Sequence, residues 1–180
     1  MNFSYWLGYS FFKLSARALF NYRVIGGENL HIPGGALVVS NHASFLDPPF
    51  VGIAFDEDLY FFAKKTLFKN PAVGAVIRSW NAFPVDQDKP DMGSVKTVIR
   101  LLQSGRKVLV FPEGSRCFDG QFLPAQPGTG LIIVKSGVPV LPVRIFGTHE
   151  ALPRGGKMLR PSEITVVCGQ PWHYDPAKYS

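Results

Sequence analysis

His42 and Asp47 could support acid–base chemistry, and they follow the apolar run 36–40. A neutral imidazole accepts a proton near pH 7, because its unperturbed pKa is about 6.5, provided that a partner fixes its other ring nitrogen as the donor. A carboxylate is such a partner. On one straight helix, this spacing would place the two side chains about 140° apart, so their pairing requires a turn between them. The pattern therefore predicts an imidazole–carboxylate pair in a loop that leads into a helix.

The sequence offers two ways to build that turn. Ser44 could cap the helix with Asp47 in its first turn, or Asp47 could cap it with Pro48 at the first helical position. The prolines at 48 and 49 favour the second arrangement. An ordinary helix cap in a polar loop is the simpler alternative to a catalytic pair. Because the chain contains no Gly-x-Ser-x-Gly segment, we expect His42 to activate a substrate hydroxyl or a water.

A second polar segment, Pro112-Glu113-Gly114-Ser115-Arg116, follows another apolar run. A proline and a flexible glycine are typical of a tight loop that presents side chains and backbone donors to a ligand. The arginine can hold a phosphate through two hydrogen bonds, and the glutamate can accept hydrogen bonds from polyol hydroxyls. A surface salt bridge between the two is the alternative, but it does not explain the basic pair at 64 and 65.

The elements that must position these residues alternate along the chain. Short β-branched runs bounded by glycine or proline predict strands, and apolar residues at helical spacing predict helices. The order is typical of an α/β fold, a layered, mixed and largely parallel sheet flanked by helices. In such sheets the binding and catalytic residues lie at the carboxyl ends of the strands. The predicted strands are 36–40, 59–63, 82–85, 107–111, 138–145 and 164–168, and the predicted helices are 48–54, 71–77, 94–103 and 128–136.

The first 22 residues are rich in large aromatic side chains, and Lys13 and Arg17 stand one helical turn apart among them. Polar residues interrupt the run too often for a transmembrane helix, and it lacks the pattern of a signal peptide. An aromatic, amphipathic and basic helix is typical of a segment in the lipid headgroup layer. We therefore predict an N-terminal membrane-interface helix over 1–25 and one domain over 26–180. The alternative is a terminal helix packed on the domain core.

The composition excludes several classes of protein. Of 180 residues, 46% are hydrophobic and 18% are charged, which fits one folded domain and excludes intrinsic disorder. Two distant cysteines argue against a disulfide scaffold or a zinc ribbon and favour a reducing compartment. The net charge of +6 favours an anionic partner. Because the basic residues form separate groups without a nucleic-acid-binding motif, we expect no nucleic acid partner.

Four segments, in order, resemble the glycerolipid acyltransferase family, of which lysophosphatidic acid acyltransferases are typical. The resemblance covers about residues 29–169. The segments are 41–47, with a His-x4-Asp motif; 64–86; 111–116, which matches the acceptor-binding motif; and 138–143, a proline-bearing strand. Each motif alone is weak evidence, whereas four in the same order are specific. The resemblance implies that 26–180 is the acyltransferase domain.

By this resemblance, His42 is the general base that takes the proton from an acceptor hydroxyl, and Asp47 orients its imidazole. The freed oxygen attacks the thioester of an acyl-CoA or an acyl carrier protein, without a metal or another cofactor. The implied acceptor is a lysophospholipid, first of all lysophosphatidate. The implied location is peripheral or monotopic on the cytoplasmic face of the membrane. The implied substrate-binding residues are Asn41, Lys64, Glu113, Gly114, Ser115 and Arg116.

Two departures from the family pattern remove positive charge. Gln87 stands where many relatives have an arginine, and the segment 125–128 lacks a lysine that often precedes its glycine. A lysophospholipid with a larger headgroup, or a lyso-aminolipid, is therefore an alternative acceptor. The chain also lacks the C-terminal helical extension common in relatives, so we expect a minimal or truncated member. Two other functions stay open: an acyl-thioester hydrolase and a non-catalytic peripheral lipid-binding protein.

Overall fold

A computed structural model describes residues 1–86, 92–117 and 121–178 of the chain. Within these ranges the chain forms seven β-strands and six α-helices. The strands are β1 (Arg23–Ile25), β2 (Ala36–Ser40), β3 (Leu59–Lys64), β4 (Ala82–Val85), β5 (Lys107–Val110), β6 (Val140–Phe146) and β7 (Thr165–Cys168). The α-helices are α1 (Phe3–Leu19), α2 (Asp47–Gly52), α3 (Pro71–Ser79), α4 (Met92–Gln103), α5 (Pro127–Ser136) and α6 (Thr148–Ala151). Two 3₁₀ helices span Gly27–Leu30 and Lys65–Lys69.

The described strands form one sheet in the order β1-β7-β6-β2-β5-β3-β4. Every adjacent pair is parallel except β6 and β7, so the predicted α/β fold with a largely parallel sheet is confirmed. β2 lies at the centre, with Val38 opposite Leu109 of β5 and Leu141 of β6. Because β2 and β5 are parallel and in register, the segments that follow them emerge side by side at the carboxyl edge of the sheet.

Helices cover both faces of the sheet, which explains why the central strands are apolar on both sides. On one face, Phe50 of α2 belongs to the same buried cluster as Val38 of β2. On the other face, Val98 of α4 and Ile132 of α5 belong to a second buried cluster with Val108 of β5. The two clusters pack on opposite faces of the sheet, so the loops at its carboxyl edge follow strands that are held on both sides.

The predicted strands and helices all occur, with differences at their ends. The strand predicted over 138–145 is β6, which begins at Val140 and tolerates Pro142 because pairing with β7 starts only at Val143. The sequence analysis missed β1, whose three residues are all exposed. Such a short edge strand has no apolar alternation of its own and forms through its pairing with β7.

Helix α1 packs one side on the domain. Asn2 precedes the helix, and its side-chain oxygen accepts the N–H of Tyr5 at 2.8 Å. The buried Tyr5 hydroxyl in turn accepts the N–H of Leu59 at 3.0 Å, and burial raises the pKa of Tyr5 to about 12. Gly8 lies so close to Trp80 that a β-carbon there would be 2.7 Å from the indole. These contacts join α1 firmly to β3 and to the end of α3.

The other side of α1 is an exposed apolar face of five side chains, which are 48–74% exposed. They are Phe3, Trp6, Leu7, Phe11 and Leu14. On an α-helix these positions fall within an arc of about 140°. Apolar residues thus occupy both the packed and the exposed side, and the amphipathic character of the segment stays a prediction, as does the division at residue 25. Among the described residues, none of the helices has both the length and the apolar content that a bilayer-crossing segment requires.

Candidate active site

His42 and Asp47 form a hydrogen-bonded pair just beyond the end of β2. His42 Nδ1 lies 2.8 Å from Asp47 Oδ2, and the carboxylate is fully buried. The same oxygen accepts the backbone N–H groups of Ala43 at 2.6 Å and Ser44 at 2.7 Å. Because a carboxylate accepts hydrogen bonds, Nδ1 carries the proton and Nε2 of the neutral ring is left to accept one. The two predicted side chains therefore pair in the structure, and their role in acid–base catalysis stays a prediction.

The start of α2 differs from the arrangement that the prolines favoured. Asp47 is the first residue of the helix and not its cap, and Pro48 is the second. The Asp47 carboxylate accepts the N–H groups of Ala43 and Ser44, which precede the helix in the loop that carries His42. Ser44 instead uses its hydroxyl oxygen to accept the N–H of Leu46 at 3.2 Å. The carboxylate thus holds the loop, and α2 begins without a side-chain cap.

The loop after β5 supports the imidazole from two directions. The ring of Phe111 stacks on the ring of His42, with centroids 4.0 Å apart and an interplanar angle of 17°. The backbone N–H of Cys117 donates to the carbonyl of His42 at 3.0 Å. Together with Asp47, these contacts hold both the ring and the backbone of the histidine. A base held in this way needs little reorganisation when it takes a proton.

Asn41 and Glu113 bind backbone groups. The Asn41 amide donates to the carbonyl of Ile145 at 3.0 Å and accepts its N–H at 2.8 Å, which continues the pairing of β2 with β6. Glu113 is buried; one carboxylate oxygen accepts the N–H of His42 at 2.9 Å and the other accepts the N–H of Leu123 at 3.0 Å. The described contacts therefore give both residues a positioning role, and their direct contact with a substrate stays a prediction.

A cavity of about 430 Å³ opens beside the pair. Its walls are mostly apolar and aromatic, which suits an acyl chain. The apolar walls include Tyr9, Phe12, Ile53, Phe61, Phe62, Leu67 and Trp80. Its lining also includes His42, Ser115 and three cations: Lys64, Arg116 and Arg154. Among the described residues, no carboxylate lines this cavity, so its field favours an anion.

Arg116 lies flat against an aromatic ring at the cavity edge. Its guanidinium carbon is 3.5 Å from the centroid of the Phe45 ring, within the His-x4-Asp loop. The pKa of Arg116 is lowered, first by burial and then by the charge of Arg154, and the carboxylate of Asp47 offsets part of this shift. The stacking fixes the plane of the guanidinium, so its N–H groups have a defined direction.

The comparisons with known proteins point to one family. The family model described as "Acyltransferase" matches residues 21–146, more than half of the chain. The chain belongs to this acyltransferase family. The predicted family, and with it the predicted enzyme class, is confirmed. Among the described residues of this family member, no group of three or more His, Cys, Asp and Glu residues could hold a metal ion.

Several relatives of this acyltransferase share one name, 1-acyl-sn-glycerol-3-phosphate acyltransferase. A 1-acyl-sn-glycerol-3-phosphate acyltransferase of Bacillus subtilis is 30% identical over 152 residues, which cover 84% of this chain and 73% of the relative. The chloroplastic LPAT1 of Arabidopsis thaliana is 29% identical over 169 residues, 92% of this chain and 45% of the relative. The chain thus spans less than half of that plant relative.

A solved structure supports the fold. The crystal structure of the 1-acyl-sn-glycerophosphate (LPA) acyltransferase PlsC of Thermotoga maritima matches with a TM-score of 0.80 and 32% identity, over 98% of this chain and 71% of that one. At this identity and coverage, the likeness extends beyond the sheet to the N-terminal helix and the loops around it. The α/β sheet described above is therefore matched by a solved structure of this family.

The structure of this acyltransferase brings four of the predicted site residues to one cavity: His42, Lys64, Ser115 and Arg116. Asp47 lies behind His42, and Asn41, Glu113 and Gly114 are outside the cavity lining. Sequence reasoning missed Phe45, Phe111 and Arg154 as parts of the site. Phe45 and Phe111 lie inside predicted motifs, and the sequence signal for their part in the site was an aromatic residue close to a polar one. Arg154 follows the matched region and no motif marks it. Gln87 lies outside the described residues.

Proposed function

We propose that this chain transfers a fatty acyl group from a thioester to the free hydroxyl of a lysophospholipid, namely 1-acyl-sn-glycerol-3-phosphate. The observation that carries the proposal is one mostly apolar cavity whose lining includes His42, backed by Asp47, together with Arg116 and Lys64. The names of the relatives from Bacillus subtilis and Thermotoga maritima support the same acceptor. The reaction would yield phosphatidate, a precursor of other phospholipids.

The mechanism follows from the pair. His42 Nε2 takes the proton of the acceptor hydroxyl while that oxygen attacks the thioester carbonyl, and a new carbon–oxygen bond forms. Collapse of the tetrahedral intermediate breaks the carbon–sulfur bond, and the imidazolium returns the proton to the departing thiolate. The buried carboxylate of Asp47 stabilises the imidazolium between the two proton transfers. Because one acyl carbon exchanges sulfur for oxygen, the reaction needs no redox cofactor.

The cavity accounts for substrate positioning. We assign the acceptor phosphate to Arg116 and Lys64, and the acyl chain to the apolar wall formed by residues such as Phe12 and Phe61. The stacking of Arg116 on Phe45 fixes where the phosphate is held relative to His42. Holding the hydroxyl and the thioester side by side contributes about 7–11 kcal/mol in well-oriented systems. The thioester donor is an acyl-CoA or an acyl carrier protein.

A thiol-release assay tests this function. Incubated with acyl-CoA or acyl carrier protein, the protein should release free thiol only when lysophosphatidate is added, and mass spectrometry should identify phosphatidate as the product. Thiol release without the acceptor would instead establish the hydrolase in which His42 activates water. A protein that binds lipid and releases no thiol with either donor would be the non-catalytic alternative, and both results would overturn the transferase.

We further propose that the exposed apolar face of α1 docks on the membrane surface, on the cytoplasmic side, where the enzyme meets its lipid acceptor. The exposed side chains of Phe3, Phe11 and Leu14 support this, since contiguous exposed apolar surface marks membrane or protein contacts. Lys13 and Arg17 on the same helix can face anionic headgroups. This deepens the predicted membrane-interface role of residues 1–25.

Replacing two side chains of that face tests the docking. We expect Phe3→Ser combined with Leu14→Ser to weaken binding to vesicles of mixed neutral and anionic phospholipid at least about tenfold, because each loses the burial of a large apolar side chain. Cosedimentation measures the binding. A matched control is Met158→Ser combined with Leu159→Ser, which removes exposed apolar side chains elsewhere.

Unchanged vesicle binding of the α1 double variant would contradict membrane docking through this face. Deletion of residues 1–22 is a poorer test, because it also removes the buried Tyr5, Ala16 and Phe20 and so damages the core. The surface substitutions leave these contacts in place. Turnover of a short-chain, water-soluble acceptor should therefore stay near the wild-type rate in the double variant.

A further inference from the structure

Arg154 reaches the active-site cavity from a segment that no motif marked. It follows α6 by three residues and lies beyond residues 21–146, where the family model matches. Its side chain lines the same cavity as His42 and Arg116, which come from the loops after β2 and β5. A third loop, reached only after β6 and α6, thus contributes a cation to the site.

Hydrogen bonds tie this third loop to the other two. Ser44 Oγ, from the fully buried side chain next to the His42–Asp47 pair, donates to the carbonyl of Leu152 at 2.7 Å. Arg154 Nη1 donates to the carbonyl of Arg116 at 2.7 Å. The first bond fixes the backbone two residues before Arg154, and the second fixes one end of its guanidinium. Arg154 is therefore held beside Arg116 by the loops that carry the chemistry.

The described lining of the cavity carries more positive than negative charge. Two guanidinium groups and Lys64 line the cavity, and no carboxylate among the described residues does so. The positive charge of Arg154 contributes to lowering the pKa of Arg116, so the two guanidinium groups lie close enough to repel each other. A bound dianion would remove this repulsion, because each guanidinium can donate to it. Two arginines side by side match a phosphate monoester better than a singly charged diester.

We propose that Arg154 is the second guanidinium of the acceptor phosphate site and sets its preference for a phosphate monoester over a phosphodiester or an uncharged headgroup. The inference rests on the proposed acyl transfer to a lysophospholipid and adds the residue that selects the headgroup. It also bears on the two departures noted in the sequence: positive charge that many relatives place near residues 87 and 127 would here come from the segment after α6.

Kinetics with two acceptors test the assignment. For Arg154→Gln we expect KM for lysophosphatidate to rise roughly 10- to 100-fold, the loss of a charge-assisted hydrogen bond, with kcat changed less than about threefold. KM for monoacylglycerol, which lacks the phosphate, should stay near the wild-type value. Arg154→Lys keeps the charge without the planar fork and should show a smaller rise in KM. Arg160→Gln, exposed and in the same loop, is the matched control and should behave as wild type.

Three results would overturn the inference. One is an unchanged KM for lysophosphatidate in Arg154→Gln; another is an equal loss of kcat on both acceptors, which would mean that Arg154 only supports the carbonyl of Arg116. The third concerns a case in which Arg154→Gln does not fold, as judged by thermal unfolding. Arg154→Lys then decides, and the inference fails if the ratio of KM for lysophosphatidate to KM for monoacylglycerol is the same in this variant as in wild type.

Direct binding separates this inference from the proposed reaction. A wild-type protein that acylates neither acceptor would overturn the acyl transfer. Calorimetric titration with short-chain lysophosphatidate then judges Arg154 alone. A Kd raised about tenfold or more in Arg154→Gln would support the phosphate site, and equal Kd values in wild type and variant would overturn it.

Discussion

His42→Ala should lower kcat for acyl transfer by about 10²- to 10⁴-fold, the usual contribution of a positioned general base. The acceptor hydroxyl must lose its proton as it attacks the thioester, and in the variant only water can take that proton. KM for lysophosphatidate should stay within about twofold, since the cations that bind the phosphate remain. Steady-state kinetics at saturating acyl-CoA measure both constants.

The matched control for this variant is His31→Ala. His31 is exposed and lines a separate cavity that does not include His42 or Asp47, so its loss should leave kcat unchanged. Thermal unfolding of both variants checks that the fold is intact, because removal of the imidazole also removes a partner of the buried Asp47 and of Phe111. A folded His42→Ala protein with a kcat near that of wild type would show that the proposed base is wrong.

Asp47→Asn should lower kcat by on the order of 10⁴-fold, by analogy with the same change in enzymes that pair a carboxylate with a catalytic histidine. The amide oxygen can still accept the N–H groups of Ala43 and Ser44, so the loop can keep its shape. The imidazolium that forms during the reaction, however, loses its negative partner in a fully buried place. The neutral amide also permits the wrong tautomer of His42.

Asparagine is a more informative replacement than alanine at this position, because alanine would leave two backbone N–H groups without their acceptor. Such groups cost about 1–3 kcal/mol each when buried, which would confuse loss of stability with loss of catalysis. Asp56→Asn changes an exposed carboxylate in the separate cavity that also contains His31 and serves as the control. If folded Asp47→Asn protein kept the wild-type kcat, the carboxylate would be structural only.

Much of the fold follows from local patterns in the sequence. The central strands β2 and β5 are short β-branched runs bounded by turn residues, and the burial of all but one of their residues makes the pattern strong. β1 escaped notice because three exposed residues carry no such pattern. The antiparallel placement of β7 beside β6 also depends on contacts between distant parts of the chain. Propensity and periodicity do not encode such contacts.

The site was predictable where one motif holds the chemistry. His42 and Asp47 fall within one loop, so their spacing alone indicated a turn that could join them. The roles of Asn41 and Glu113 were harder to predict, because their side chains bind backbone groups of residues 145 and 123. A polar residue next to a catalytic one can face either the substrate or the scaffold, and only the fold decides. Arg154 reaches the site because β6, which precedes its loop, pairs with β2, which precedes the loop of His42.

Helix α1 has two roles whose combination affects how the rate should be measured. Tyr9 and Phe12 form part of the cavity wall, while the apolar face of the same helix is directed outward. An enzyme seated on a leaflet through that face would draw its acceptor from the leaflet sideways. Its velocity would then follow the mole fraction of lysolipid in the surface, and an inert detergent that spreads the same lysolipid over more micelles would slow it at constant bulk concentration.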